Sequence, residues 1–201
     1  MTSSLPIIAV FDFDHTLTDR DSLLPLLLKL KGKMAASYQL TLLGPSFAAF
    51  LLGTLSRQGI KEKILSRIIG GMTAAELHSL GEDYAANQLG NYVKPAGLER
   101  LNWHQAQGHR CLLISASLEF YLKPWAELHG FEAVLASKLE FNAEGQATGR
   151  LLGLNCWGPE KVVRLIKYLG PEKKYQLYAY GDSRGDQELL AFADHSFYRT
   201  F

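Results

Sequence analysis

The residues most capable of joint chemistry are Asp12, Asp14, Ser115, Lys161, Asp182 and Asp186. Most of them follow an apolar run. Ile7-Ile8-Ala9-Val10-Phe11 leads into Asp12-Phe13-Asp14-His15-Thr16, Cys111-Leu112-Leu113-Ile114 into Ser115-Ala116-Ser117, and Leu177-Tyr178-Ala179-Tyr180 into Gly181-Asp182-Ser183-Arg184-Gly185-Asp186. A phosphate ester is strongly anionic, so a carboxylate approaches it only when cations screen the charge. Oxygen-rich clusters suit magnesium, which keeps several waters and binds through one or two carboxylates plus substrate phosphate. Lys161 and the Ser115 hydroxyl are the opposing donors. Such a set suits stabilisation of charge on a transferring phosphoryl group. Taken singly, each residue also has a plain structural role: a turn-forming Asp, a capping Ser, a solvated Lys, or an Asp186 that favours the positive end of a helix. Their joint placement at strand ends makes them a site.

The elements that must position these groups follow from periodicity. Leu5 to Phe13, Arg110 to Ser115 and Tyr175 to Tyr180 read as strands buried on both faces, as in parallel sheets. Pro95 opens a helix that stops at Gly108, and Leu118 to His129, Pro159 to Leu169 and Gly185 to Phe192 are helical. Short strands are expected at Glu132 to Leu135 and Ser196 to Tyr198, and a hairpin over Lys138 to Leu152 turning at Asn142-Ala143-Glu144-Gly145. From about Asp21 to Val93 only helical patterns occur, with a capping box at Thr73 and Glu76. The fold class is α/β: a Rossmann-like parallel sheet with a helical bundle inserted after the first strand. Residues 1–19 and 95–201 form the core and 20–94 the inserted cap. In such sheets ligands bind beyond the carboxyl ends of the strands, so the separate polar clusters converge.

Residues 34–56 carry no charge, and Lys29, Lys31, Lys33 and Arg57 flank them. Polar residues and Pro45 break the stretch, so two buried helices joined at Gly44-Pro45 are expected, with contact to a membrane surface as the alternative. The formal net charge of +1 gives no general attraction for nucleic acid. The N-terminus lacks a basic leader, and Cys111 and Cys156 read as reduced thiols; both fit a cytoplasmic protein. His78, His104, His109, His129 and His195 have no zinc-ligand spacing. His15 is expected to line a loop, and Trp157 to lie close to the site. Oligomeric state has no signature.

Phe11-Asp12-Phe13-Asp14-His15-Thr16-Leu17-Thr18 resembles the first motif of the haloacid dehalogenase superfamily, Leu112-Leu113-Ile114-Ser115 the second, Lys161 the third and Tyr180-Gly181-Asp182-Ser183-Arg184-Gly185-Asp186 the fourth. The resemblance implies a magnesium-dependent phosphomonoester hydrolase working through an aspartyl-phosphate. Asp12 would be the nucleophile, Asp14 the general acid/base, and Ser115 and Lys161 the holders of the phosphoryl oxygens. Magnesium would sit on the Asp12 carboxylate, the Asp14 carbonyl and Asp182, with Asp186 steadying the metal waters or Lys161. Thr16, Asp21, Ala116 and Ser117 are the expected substrate-binding positions, and the substrate a small phosphorylated metabolite. A helical insertion after the first motif is similar to the cap of the phosphoserine-phosphatase-like subfamily IB. Trp157 stands before Gly158 where phosphoserine phosphatases place lysine, and Lys63 to Arg67 offer no aligned arginine for an amino-acid carboxylate. The run Cys156-Trp157-Gly158-Pro159-Glu160-Lys161 is closer to the phosphatidylglycerophosphatase C branch, which implies a lipid phosphate as the alternative substrate. A non-catalytic binding protein on the same fold would have no need of both Asp12 and Asp14.

Overall fold

A computed structural model describes residues 5–201. Residues 1–4, which hold the start of the expected core segment and the N-terminus read as leaderless, lie outside it. The chain opens with strand β1 (Ile7–Phe11) and passes through a wide turn into the cap helices α1 (Leu23–Lys31), α2 (Lys33–Thr41), α3 (Gly44–Leu51), α4 (Arg57–Ile68) and α5 (Ala74–Asn87). It returns through α6 (Pro95–Ala106), β2 (Arg110–Leu118), α7 (Glu119–Leu128) and β3 (Ala133–Ser137). The hairpin β4 (Leu139–Phe141) and β5 (Ala147–Leu151) precedes α8 (Pro159–Leu169), β6 (Gln176–Gly181), α9 (Gln187–Phe192) and β7 (His195–Tyr198).

The main sheet has five strands in the order β3-β2-β1-β6-β7, all parallel. β1 is central, which is why its run is apolar without alternation: Ala9 and Phe11 enter one core and Ile8 and Val10 the other. Phe11 is level with Leu113 on one side and Tyr180 on the other. The three polar clusters therefore begin within a residue or two of one another. In β2 the register with β3 shifts between Ser115, paired with Ala136, and Leu118, paired with Ser137, which leaves Ala116 and Ser117 out of the regular ladder at the sheet's carboxyl edge.

The cap helices share the core of the α/β body. Leu26, Leu27, Leu65, Ile68, Leu77 and Tyr84 are buried in one cluster with Leu118, Tyr121, Leu122 and Trp125. α5 approaches α7 so closely that a Cβ on Gly81 would lie 2.2 Å from the Phe120 carbonyl oxygen. The segment between α4 and α5 bonds the hairpin, with Gly71 N–H donating to Ala147 O at 2.9 Å and Ala147 N–H to Met72 O at 2.8 Å. Thr73 and Glu76 form the capping box that starts α5.

The uncharged stretch forms the expected pair of helices, and Pro45 opens the second. They are not buried. Leu43 is covered at 5% exposure, but Met34 is 90% exposed, Leu51 82% and Leu52 80%. Apolar composition set the expectation of burial; in the fold α2 and α3 lean on α1 and α4 by one side and leave the other uncovered. Among the described residues, no helix is long and apolar enough to cross a membrane. Cys111 and Cys156 are both buried and free.

Candidate active site

The chain leaves β1 at Asp12 in extended conformation (φ −70°, ψ 163°) and turns over Phe13 to Leu17. Asp14 stays extended (φ −67°, ψ 129°) and His15 takes the left-handed region at φ 62°. That break sends the two carboxylates to different partners. Phe13 anchors the turn by packing edge-on against Trp125, and the Thr18 hydroxyl closes it by donating to Phe13 O at 3.2 Å.

Asp12 is buried and accepts from Lys161 Nζ at 2.6 Å and from Thr16 Oγ1 at 3.0 Å. Lys161, 2% exposed on the first turn of α8, also donates to Asp186 at 2.5 Å. Asp14 instead accepts from the Ser22 N–H at 2.7 Å and from the Ser117 hydroxyl. The carboxylates of Asp12, Asp182 and Asp186 offer oxygens all within 4.8 Å of one another. Beside them opens a cleft of about 300 Å³, lined among others by Asp12, Asp14, Ser115, Lys161, Asp182 and Trp157.

Electrostatics divide these groups. Burial pushes the Asp12 carboxyl up to about 7; Lys161 pulls it back, while Asp186 and Asp14 add repulsion. Asp14 is raised by burial and then by the charge of Asp21, against its Ser117 and Ser22 donors. Asp182 is raised by burial and by Asp186. Burial opposes the charge of Asp186 too, but Lys161 and Ser183 outweigh it and hold it below the ordinary carboxylate range. For Lys161 burial is again the largest influence, and Asp12 and Asp186 overcome it to keep the ammonium protonated well above the usual lysine range. Asp12 and Asp186 thus share one buried ammonium, with Asp182 clustered beside them. The excess negative charge, and a donor set made only of oxygens, fit a hard divalent cation on Asp12 and Asp182.

The structure brings the candidate residues together. Asp12, Asp14, Asp21, Ser115, Ala116, Lys161 and Asp182 line the cleft. Thr16 and Ser117, expected at the substrate, are buried and hydrogen-bonded to the carboxylates of Asp12 and Asp14. Thr16 bridges Asp12 and, at 3.4 Å, Asp182, and Ser117 holds Asp14. Asp186, expected to steady the metal waters or Lys161, has one oxygen on Lys161 and the other on Ser183 N–H (3.0 Å), Ser183 Oγ (2.7 Å) and Asp182 N–H (3.3 Å), and it belongs to the three-acid group. Its bonds orient the lysine and the Asp182 loop. The Asp14 carboxylate lies outside the three-acid group. Asp21 also caps α1 by accepting from Leu24 N–H at 2.8 Å.

Residues not singled out in the sequence complete the rim. Arg57, on the first turn of α4, lines the cleft with its guanidinium 5.0 Å from the Trp157 ring centre. Arg184 lies 5.4 Å from the same ring. Four residues on from Arg57, Lys61 reaches the core loops. The available signal was the Ser56-Arg57-Gln58-Gly59 helix start, where Ser56 accepts from Gly59 N–H at 3.0 Å; the side turned to the cleft was not readable from it.

Residues 9–191 match the family model of the haloacid dehalogenase-like hydrolases. The protein CicA of Caulobacter vibrioides is 30% identical over 196 residues, covering 98% of this chain and 87% of the relative. A histidinol-phosphatase of Neisseria meningitidis is 29% identical over 203 residues, covering 91% of this chain and 85% of that one. A crystal structure of a Bordetella pertussis protein of unknown function has a TM-score of 0.80 at 23% identity, over 96% of this chain and 89% of its own. A substrate-bound phosphoserine phosphatase has a TM-score of 0.63 at 13% identity, over 98% and 87%. At those identities the structures show a shared fold. The chain belongs to the haloacid dehalogenase-like hydrolases, alongside relatives that are phosphatases.

Proposed function

We propose that this chain is a magnesium-dependent phosphomonoester hydrolase that forms an aspartyl-phosphate on Asp12 and acts on a small phosphorylated metabolite. The observation that carries the reading is the separation of the first two acids. Asp12 is held by Lys161 and Thr16, whereas Asp14 is held by Ser117 and Ser22. Two carboxylates in different environments can take different roles.

An oxygen of Asp12 attacks phosphorus, the bond from phosphorus to the ester oxygen breaks, and Asp14, its carboxyl raised, gives its proton to the departing alkoxide. Asp14, now a carboxylate, takes a proton from water as that water attacks the phospho-Asp12. The bond to Asp12 breaks, and inorganic phosphate leaves. Lys161 and the Ser115 hydroxyl hold the phosphoryl oxygens through both steps. Bound magnesium, on Asp12, Asp182 and the Asp14 carbonyl, would screen the charge of the acids from that of the phosphate.

The rim bears on the substrate. Asp21 offers a carboxylate to a cationic group, and Trp157 with Arg57 offers a flat, polar wall. A phosphorylated amino alcohol, the class that includes the substrate named for the Neisseria relative, suits that pairing. Purified protein should release phosphate from an aryl phosphate only when magnesium is supplied, and Asp12→Asn should abolish it; activity that survives removes the mechanism. A screen of phosphorylated amino alcohols, amino acids, sugars and nucleotides then ranks substrates.

The uncovered face of α2 and α3 favours a second reading, a lipid phosphate met at an anionic membrane surface. Met34, Tyr38 and Leu42 recur at helical spacing and are exposed, as are Phe47 and Leu51. No acidic residue lies between Asp21 and Glu62, whereas Lys29, Lys31, Lys33, Arg57 and Lys61 do. Apolar area beside basic charge is what anionic interfaces bind. Sedimentation with phosphatidylglycerol vesicles, abolished by Leu51→Asp, supports this reading; a chain that stays in the supernatant overturns it.

A further inference from the structure

The side of α4 that meets the core carries a polar seam. Gln58, Lys61, Glu62 and Ser66 recur at helical spacing. Gln58 donates to Gly153 O at 3.1 Å and accepts from Asn155 N–H at 3.1 Å. Glu62 accepts from Leu151 N–H at 3.1 Å, and Ser66 donates to Thr148 O at 2.9 Å. Apart from the bond that Gln58 donates to Glu62 at 2.8 Å, these three residues bind β5 and the segment that runs from it towards α8. Lys61 does more. It donates to Asn155 Oδ1 at 3.0 Å and also to the carbonyl oxygen of Ala116, on the other side of the cleft floor.

Those two acceptors belong to the loops that the reaction needs. Ala116 sits between Ser115, which faces the cleft, and Ser117, which holds Asp14. Asn155 leads directly into Cys156, Trp157 and the helix that carries Lys161, and its Oδ1 is fixed by a second donor, Ser137 Oγ, at 3.0 Å. The Ala116 carbonyl lies in the register irregularity between β2 and β3, after the Ser115–Ala136 pair, and Lys61 donates to it there.

We infer that Lys61 is a positioning residue: one cap ammonium clamps the Ser115–Ser117 loop to the Asn155 loop and so sets Ser115 and Asp14 against Lys161. The inference rests on the phosphatase reading for its effect on rate, but the clamp itself does not. Burial of Lys61, which brings its pKa down to about 8 against the favourable charges of Asp14 and Asp21, agrees with an ammonium enclosed between core and cap. A reacting group misplaced by about 1 Å can cost about 100-fold in rate.

The test compares Lys61→Met with Ser66→Ala, a variant on the same seam whose side chain bonds Thr148 O, on neither clamped loop, and with Lys61→Arg. On an aryl phosphate with saturating magnesium, Lys61→Met should lower kcat about 10- to 100-fold and change KM less than about threefold, with Lys61→Arg recovering most of kcat. Ser66→Ala should lower Tm slightly and leave kcat, measured well below Tm, within about twofold. Hydrogen exchange gives a readout free of activity: the Ser117 N–H, bonded to Ser115 Oγ at 3.0 Å, should exchange about tenfold faster in Lys61→Met and at the native rate in Ser66→Ala. Should Lys61→Met fail to fold, Lys61→Gln, which keeps one donor group, takes its place in both measurements. An unchanged kcat and unchanged Ser117 exchange in Lys61→Met overturn the clamp, as does an equal loss of kcat in Ser66→Ala. Faster Ser117 exchange in a chain whose wild type hydrolyses no phosphate ester upholds the clamp and removes the phosphatase reading instead.

Discussion

Replacing Lys161 by Met removes the one cation between two buried carboxylates and keeps most of the volume. Its Nζ lies 2.6 Å from Asp12 and 2.5 Å from Asp186, and a third acceptor, Ile114 O, is at 3.4 Å. Breaking a buried pair by removing one partner costs about 3–5 kcal/mol, because the remaining charge is left buried and uncompensated. At about 1.4 kcal/mol per tenfold, that is a loss of roughly 140- to 3700-fold in the folded-to-unfolded ratio. The cost depends on pH, and its sign follows from the shifts. Asp186 is held below its ordinary value by Lys161, so it stabilises the wild type above the unfolded carboxylate pKa and loses that contribution as pH falls through the folded value. Asp12, already raised to about 7, takes up a proton below that pH and then no longer needs the lysine. The raised pKa of Lys161 keeps it charged over the whole interval. The penalty should therefore be largest near pH 8 and smaller near pH 5. Urea denaturation of both proteins at the two pH values, in chelator so that no metal substitutes for the ammonium, reads it directly. A difference under about 1 kcal/mol at pH 8, or one that grows on acidification, would refute the reasoning.

Ser117→Ala deletes a donor to Asp14; a hydrogen bond to a charged group is worth about 1.5–3 kcal/mol, so kcat should drop roughly tenfold to a hundredfold on an alkyl phosphate, and less on an activated aryl phosphate whose leaving group needs no proton. Equal losses on both esters would argue against Asp14 as the acid. His104 is buried, bonded to Tyr180 OH at 2.9 Å and to His109 at 2.8 Å, and burial with the nearby His109 and Arg100 lowers its pKa to about 4. The unfolded chain then binds the extra proton between about pH 6.5 and 4, so stability falls by up to ~3 kcal/mol as pH drops through that window; in urea melts, His104→Gln should lose measurably less than wild type between pH 7.5 and 4.5. Gly81→Ala adds a methyl group against the Phe120 carbonyl, and the forced separation of α5 from α7 should cost about 1–3 kcal/mol, seen as a lower Tm. A Tm at or above the wild-type value would mean that the helices part freely.

The strand-end acids were legible because short unbroken apolar runs bounded by polar clusters read as central parallel strands, and a parallel sheet brings its carboxyl ends together. The partner of each acid was not legible, because one residue decides it: His15 in the left-handed region turns Asp14 towards Ser117 and leaves Thr16 under Asp12. The stretch from Met34 to Ser56 misled for a different reason. Hydrophobicity reports what a side chain tolerates, whereas coverage depends on what the fold sets opposite, and only Leu43 of the large apolar residues there is fully enclosed. Arg57 and Lys61 were not read as site residues because periodicity is read from apolar residues, and α4 meets the hairpin segment through Gln58, Glu62 and Ser66. A helix docked by polar bonds leaves no apolar stripe on that side. Its register depends instead on carbonyls and amides far along the chain, at Thr148, Leu151, Gly153 and Asn155. The cap residues that shape the cleft are thus placed by backbone groups, which no pattern of side-chain types announces.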